Sequence, residues 1–374
     1  MINFWSYKKE YKKYKKKVLK RIDQTLLRGT IFFGDELNKF EKKFISKYKS
    51  KFGAAVSSGT DALLIALKSI DIKNGDEVIT ASNTAIPTIS AIINSGATPK
   101  LVDVGNDYLI DCSKIEKAIT KKTKAIIPVH LYGQSCDMTK IIKIANKHKL
   151  RIIEDCAQAQ GATYNKKYVG TFGDLGCFSF YPTKILGAYG DGGFILTKNR
   201  QLNEKIKRLR FYGIETVNKK NKFFNKYYAN ENGLNSRIDE IQCSILNIKI
   251  NYIDQFINKR IILANEYFKN LRDTKLILPK KNQNNKHVYH LFTVYHPQRD
   301  KIIKLLNKKK IKTRIIYPYV IQNMKAYKHL FFRKNLKNSE VKSKGIFCLP
   351  LYPEMKKSDV VKISKTIKNI LNAL

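Results

Sequence analysis

The chain has 374 residues, 43% of them hydrophobic, which is enough for a proper core and sets the expectation of one large domain or two moderate ones. Seventy-two basic residues against thirty acidic ones give a net charge of +42. That charge alone would suggest nucleic acid or an anionic surface, but the lysines are scattered through every helix-like segment and are not gathered into one block with interleaved aromatics, so nucleic acid is not an expected partner. A small anionic substrate would still gain from the field. Cys112, Cys136, Cys156, Cys177, Cys243 and Cys348 show no Cys-x-x-Cys and no paired spacing, which reads as a reduced, cytoplasmic protein. The start, Met1-Ile-Asn-Phe-Trp-Ser-Tyr-Lys-Lys, lacks an apolar signal core. No run of about 18 apolar residues is present, so no membrane span is expected.

Tyr11, Tyr14, Val18, Ile22 and Leu26 recur at helical spacing and predict a helix over 7–28. Leu37, Phe40, Phe44 and Tyr48 mark a second amphipathic helix after the break at Gly34-Asp35. From residue 52 the pattern alternates. Strands are predicted at Ala54–Val56, Glu77–Thr80, Pro99–Val104, Ala125–His130 and Arg151–Glu154. Helices are predicted at Asp61–Ile70, Ala85–Asn94, Ser113–Thr120 and Lys140–His148. Such alternation means an α/β layered fold with a mostly parallel sheet. Cys177–Phe180 and Phe194–Thr197 continue as strands, and Arg200–Phe211 as a helix. Ile214–Asn232, which contains Lys219-Lys-Asn-Lys-Phe-Phe-Asn-Lys226, is polar and irregular and is expected to be an exposed or mobile loop. A long helix is expected from Glu240 to about Leu271. Strands at His287–Tyr295 and Lys312–Ile316 with helices at Asp300–Asn307 and Ser358–Leu371 then suggest a smaller α+β unit. The expected division is a large domain over 1–245 and a small C-terminal domain over 246–374.

In open α/β sheets ligands sit beyond the carboxyl ends of the strands, so the residues just after each strand carry the candidate chemistry. The run Cys177–Phe180 stops at Pro182, and Lys184 follows at once. Gly187, Gly190, Gly192 and Gly193 supply backbone that can bend freely beside it. Lys184 is therefore a candidate Schiff-base lysine. Ser57-Ser-Gly-Thr-Asp61 lies between a strand and a helix, where free N–H groups and the positive dipole end suit a phosphate. The Ser58 and Thr60 hydroxyls add donors there, though the same residues also suit an ordinary N-cap. Asp155 ends a strand and could pair with a protonated ring nitrogen or cap a turn. Gln158 brings an amide close by for a ring hydroxyl, and Ser179 is a further candidate phosphate donor. Together these features suit pyridoxal 5'-phosphate, with pyridoxamine 5'-phosphate as its intermediate form. The aspartate would keep the ring protonated so that it takes up electrons. A lysine whose pKa is lowered by burial would move a proton between two carbons. No metal is expected.

Six blocks carry a resemblance: Ser58-Gly-Thr-Asp-Ala-Leu63, Ile127-Pro-Val-His-Leu-Tyr-Gly133, Ile153-Glu-Asp-Cys-Ala-Gln158, Phe178 to Gly193, Gly233-Leu-Asn-Ser-Arg237 and Leu349-Pro-Leu-Tyr-Pro-Glu354. They span nearly the whole chain, and in that order they resemble the sugar aminotransferases of the DegT/DnrJ/EryC1 group. The resemblance implies the type I, aspartate aminotransferase-like fold of PLP-dependent transferases, with a large mostly parallel-sheet domain and a smaller α+β domain. It implies that Lys184 forms the Schiff base, that Asp155 pairs with the pyridine nitrogen, and that Gln158 meets the ring hydroxyl. Gly59, Thr60 and Ser179 match the phosphate binders. Asn235 matches an asparagine that reaches the phosphate of a neighbouring subunit's cofactor, which implies a homodimer with shared active sites.

The resemblance further implies ping-pong transamination from L-glutamate, leaving as 2-oxoglutarate, to a nucleotide-linked keto sugar. Pro128-Val-His-Leu-Tyr-Gly-Gln134 and Asn235-Ser-Arg-Ile-Asp-Glu240 look most like the branch acting on the 3-keto group of dTDP-6-deoxyhexoses, in surface-glycan or glycoside biosynthesis. A 4-keto-sugar aminotransferase on a UDP-, GDP- or dTDP-sugar is the alternative. Lys184 argues against a pyridoxamine-phosphate-dependent sugar dehydratase, whose lysine is lost. The intact set of Lys184, Asp155 and Gln158 argues against a silent regulatory relative. Two positions depart from the family. Ala85 stands where many members have an aromatic over the ring, and Ile316 stands where many have a histidine before Tyr317-Pro318. Tyr181, His287, His290 and Tyr317 are candidate substrate contacts.

Overall fold

The computed structural model describes residues 1–214, 228–331 and 336–374. Helix α1 (Tyr7–Leu27) starts at Ser6, whose hydroxyl accepts the Lys9 N–H. It buries Tyr14, Val18 and Thr25 and turns its lysines outward. Helix α2 (Asp35–Tyr48) has an unusual cap. The carboxylate of Glu240, far along the chain, accepts the N–H groups of Gly34, Glu36 and Leu37 at 3.0, 2.7 and 3.0 Å. A negative charge at a helix N-terminus satisfies free donors and opposes the macrodipole.

The strands are β1 (Phe52–Val56), β2 (Glu77–Ala81), β3 (Thr98–Val102), β4 (Thr123–Ile127), β5 (Arg151–Asp155), the short hairpin β6 (Thr163–Tyr164) and β7 (Lys167–Tyr168), β8 (Leu175–Ser179) and β9 (Gly193–Thr197). Seven of them form one sheet in the order β1-β9-β8-β5-β4-β2-β3. All run parallel except β9, which is antiparallel to both its neighbours. The intervening helices are α3 (Gly59–Ser69), α4 (Ile86–Asn94), α5 (Met138–Lys147) and α6 (Arg200–Leu209).

Both faces of this sheet are covered, so its strands read as continuous apolar runs rather than alternating ones. Successive side chains still point to opposite faces. Ala54, Val56, Leu175, Cys177 and Ile195 join one cluster with residues of α3, α4 and α5. Ala55, Phe178, Phe194 and Leu196 join another with Phe40, Phe44 and Tyr48 of α2. Phe44 lies at the centre of an aromatic set, with Tyr48 4.6 Å, Phe178 5.1 Å and Phe194 4.5 Å away between ring centroids.

The rest of the chain forms α7 (Glu240–Lys249), α8 (Ile253–Leu271), β10 (Asn285–Lys286), β11 (Phe292–Tyr295), α9 (Arg299–Lys308), α10 (Lys337–Gly345), β12 (Ile346–Leu349) and α11 (Lys357–Asn372). β11 and β12 pair antiparallel, and Leu263, Tyr267, Phe292, Phe347, Ile363 and Ile367 build a third cluster around them. The expected division at 245/246 falls inside α7, whose Ile245 and Leu246 pack in the second cluster. No helix among the described residues is long and apolar enough to cross a membrane.

Several predicted elements differ. The single helix expected over 240–271 is broken by a tighter turn at Ile250–Tyr252; Ile253, Phe256 and Ile257 beyond it still pack in the second cluster, and the third takes over from Leu263. The helix expected at Ser113–Thr120 is two short 3₁₀ turns, Cys112–Lys114 and Glu116–Ala118. Lys312–Ile316 is no strand; it touches a ladder only through an Arg314–Cys348 bridge. His287 and His290 lie before the strand expected to hold them. Most of the loop expected over Ile214–Asn232 lies outside the described residues.

Because Phe44 is wholly buried among rings, Phe44→Ala removes both transfer energy and packing. We expect a loss of about 3–5 kcal/mol in stability, read as a lower denaturant midpoint.

Candidate active site

The carboxyl ends of the parallel strands and the first turn of α3 share one edge of the sheet, and the candidate residues collect there. Asp155 is the last residue of β5 and is buried. Thr88, in the first turn of α4, donates its hydroxyl to Asp155 Oδ2 at 2.9 Å, and the Ala157 N–H donates to Oδ1 at 3.1 Å. Thr84 donates in turn to Thr88, so a chain of two hydroxyls orients the carboxylate. Neither threonine stands out in the sequence. Their position just beyond β2, at the same edge as Asp155, is the signal that could have found them.

Lys184 sits in a turn after β8, its N–H bonded to the Tyr181 carbonyl at 2.9 Å, and is half-buried. Burial lowers its pKa to about 8, while the charge of Asp155 acts in the opposite direction. His290 is buried near Lys184. Burial, then the positive charges of Lys184 and Arg260, hold its imidazole well below the ordinary value. Among the described residues its Nδ1 has no partner, and neither does the buried Ser82 Oγ at the end of β2.

The N-terminus of α3 lies against β8 because Gly59 has no side chain. A Cβ there would meet Ser179 Cβ at 2.6 Å. Ser58 caps α3, accepting the Asp61 N–H at 3.1 Å, and Thr60 follows in the first turn. Ser179 Oγ accepts the Tyr181 N–H at 3.3 Å. Ser58, Gly59, Thr60 and Ser179 therefore form one concave edge of backbone N–H groups and hydroxyls.

Gln158 accepts the Tyr132 N–H at 2.9 Å and donates to the Tyr317 hydroxyl at 2.8 Å. Its oxygen and one N–H are thus engaged, leaving one N–H for any ring hydroxyl. Tyr132 donates to the Ile316 carbonyl at 2.7 Å, so two tyrosines fix the Ile316-Tyr317 segment over the sheet edge.

The chain matches the DegT/DnrJ/EryC1/StrS aminotransferase family over residues 12–368. It belongs to that family. It is 40% identical over 368 residues to a dTDP-3-amino-3,6-dideoxy-alpha-D-galactopyranose transaminase of Aneurinibacillus thermoaerophilus, covering 98% of this chain and 99% of the relative. It is 37% identical over 378 residues to a dTDP-3-amino-3,4,6-trideoxy-alpha-D-glucose transaminase of Micromonospora megalomicea subsp. nigra, covering 99% of each. The X-ray structure of S. venezuelae DesV in complex with a ketimine intermediate superposes with a TM-score of 0.93 at 34% identity, over 98% of each chain.

In this aminotransferase not every predicted site residue reaches the same place. Tyr181 is 53% exposed, outside the cradle. Asn235 is exposed and accepts from Arg237 Nε at 2.9 Å, while its neighbour Ser236 is buried against Ser57. His287 stacks on Tyr289 at 4.0 Å, and its Nδ1 accepts the Tyr289 N–H. Burial lowers its pKa to about 3, and it lines a small crevice with Asp107, Tyr108 and Gln134. It does not share the His290 position beside Lys184. His130, Glu154 and Cys156 cluster closely enough to suggest metal ligands. The ring nitrogens of His130 and the carboxylate of Glu154 are already engaged. His130 Nδ1 accepts the Cys136 N–H, so its Nε2 donates to Glu154. Glu154 also takes the N–H groups of Gly170, Phe172 and Gly173. Burial raises its pKa, but the His130 bond and these N–H groups outweigh that and leave it lowered.

The lowered Lys184 pKa has a direct readout. The neutral amine reacts with aldehydes, so trapping of Lys184 by pyridoxal phosphate and borohydride should rise with pH through a midpoint near 8, where an unburied lysine would require about 10.4. Peptide mass spectrometry across that range checks it.

Proposed function

We propose that this aminotransferase uses pyridoxal 5'-phosphate to move an amino group from L-glutamate to the C3 keto group of a dTDP-linked 3-keto-6-deoxyhexose. The observation that carries this reading is the pair Lys184 and Asp155 at one sheet edge in a chain whose two cited relatives are both named as dTDP-3-amino-sugar transaminases. The residues fit the cofactor. The Gly59–Ser179 approach leaves a cradle that a side chain would fill, which suits a phosphate at a helix N-terminus. The carboxylate of Asp155, held by Thr88, suits a protonated ring nitrogen. The remaining N–H of Gln158 suits the ring hydroxyl.

When bound, the cofactor supplies an aldehyde and an electron-accepting ring. The chain supplies the rest. Lys184, partly neutral near pH 8, takes a proton from one carbon and returns it to another. Asp155 keeps the ring nitrogen protonated. Gly59, Thr60 and Ser179 hold the phosphate, with Asn235 of the partner subunit. Tyr317 and His290 face the same edge, and His290 Nδ1 is a free acceptor or donor for a sugar hydroxyl. The net charge of +42 favours the approach of an anionic nucleotide sugar.

A homodimer follows from the Asn235 role. Leu26, Leu27, Ile31, Phe32 and Phe33 are exposed, and the Arg237 guanidinium lies 4.6 Å over the Phe32 ring, beside Asn235. An exposed apolar patch of this kind suits burial against a second copy.

Three measurements test this reading. With glutamate and a panel of dTDP-, UDP- and GDP-keto sugars, NMR should place the new amine at C3 of a dTDP sugar; an amine at C4 selects the 4-keto alternative. Lys184→Ala should bind pyridoxamine phosphate yet lose about 10²–10⁴-fold or more in turnover, the usual weight of a proton-transfer group. Wild-type turnover in that variant rejects the assignment. Phe32→Asp should shift the protein from dimer to monomer in light scattering and weaken cofactor retention with it.

A further inference from the structure

Gln160 lies five residues past Asp155, in the turn that follows β5, and is buried. Its Nε2 donates to the Ser179 carbonyl at 2.9 Å and to the Leu186 carbonyl at 3.2 Å. Its Oε1 accepts the Leu186 N–H at 2.7 Å. One amide thus commits both donors and its acceptor to the two ends of the segment 179–186, which carries Lys184 between them. The amide is itself held from behind. The next residue, Gly161, donates its N–H to the Tyr48 hydroxyl at 3.0 Å, and Tyr48 is buried in the aromatic set under β8. The segment it spans is tight: a Cβ at Gly187 would meet the Pro182 carbonyl oxygen at 2.5 Å, and Ala188 bonds back to Phe180 at 2.7 Å.

We propose that Gln160 is a positioning residue for Lys184, setting the depth of the amine in its pocket while holding Ser179 against Gly59. It touches neither substrate nor cofactor. It acts by making the distance between the phosphate cradle and the amine a fixed length, bridged by one planar side chain. The proposal rests on the reading of Lys184 as the reacting amine.

The test uses the full chain stripped of cofactor, trapped with pyridoxal phosphate and borohydride, and read as Lys184 modification against pH. In the parent protein the midpoint is expected near 8. Gln160→Met keeps the length of the side chain but neither the donors nor the acceptor. Its loosened turn should let water reach the amine and move the midpoint toward that of a solvated lysine; each tenfold rise in proton affinity cuts trapping at neutral pH about tenfold. Gln160→Leu should do the same. Gln134→Met, at another buried glutamine whose oxygen accepts the Asn282 N–H away from this turn, should leave the midpoint in place. A lower melting temperature in Gln160→Met with its midpoint unmoved overturns the proposal, because a clamp that only stabilises the fold leaves the amine's titration alone. Hydrogen exchange needs no variant: the Leu186 amide of the parent should be as protected as those of β8, and free exchange there also overturns it. Failure to modify Lys184 at all in the parent rejects the functional reading instead.

Discussion

A half-buried ammonium near a carboxylate is pulled two ways. Removal from water drives Lys184 toward the neutral amine, and the charge of Asp155 drives it back. The proton transfer proposed for Lys184 needs both forms within reach near neutral pH, so in that reading neither pull can win outright. The balance depends on small distances. A turn that opened would hydrate the amine, and a β5 end that moved would take the charge with it. The rest of the fold can be understood as the means of holding those two residues still.

The means is a set of buried polar ties rather than apolar packing alone. Glu154, one residue before Asp155, accepts from His130 and from three N–H groups of the following loop, which pins the end of β5. Arg260 donates to the carbonyls of Tyr289, His290 and Leu351, which sets the backbone that presents His290. Buried groups like these are costly if any partner is missing and strongly orienting if all are present. Apolar clusters would tolerate repacking by fractions of an ångström. Hydrogen-bonded carboxylates, guanidinium and amides do not.

Legibility in the sequence followed the range of the interaction. The alternation from residue 52 onward and the strand ends could be read because each depends on neighbours close in the chain; Lys184, Asp155, Gly59 and Ser179 stand out as candidates through the motifs that hold them. The break at Ile250–Tyr252 could not, because the helical periodicity continues through it and Leu246, Ile250, Ile253 and Phe256 pack in one cluster on both sides. Lys312–Ile316 has β-branched residues at strand spacing, yet the edge it meets offers a single bridge. His287 and His290 looked equivalent in sequence. They separate because Tyr289, between them, adopts a left-handed backbone at φ 48°, which sends one ring to stack on a tyrosine and the other toward Lys184. Thr88 and Gln160 act through partners 67 and 19 to 26 residues away, a range at which residue spacing carries no information.

The one antiparallel strand of the main sheet has a consequence for how the chain is made. Among the described residues β1 pairs only with β9, Phe52 against Thr197, so the first strand synthesised has no ladder until the last strand of the sheet exists. The cap of α2 waits longer still, for Glu240. A nascent chain therefore carries an open strand edge until Thr197 is made and an uncapped helix until Glu240 is made. β9 then enters between β1 and β8 and ties the first strand to the rest of the sheet. Pairings this distant fold slowly, whereas β5 and β8, which lead to Asp155 and Lys184, pair directly and need no part of β1.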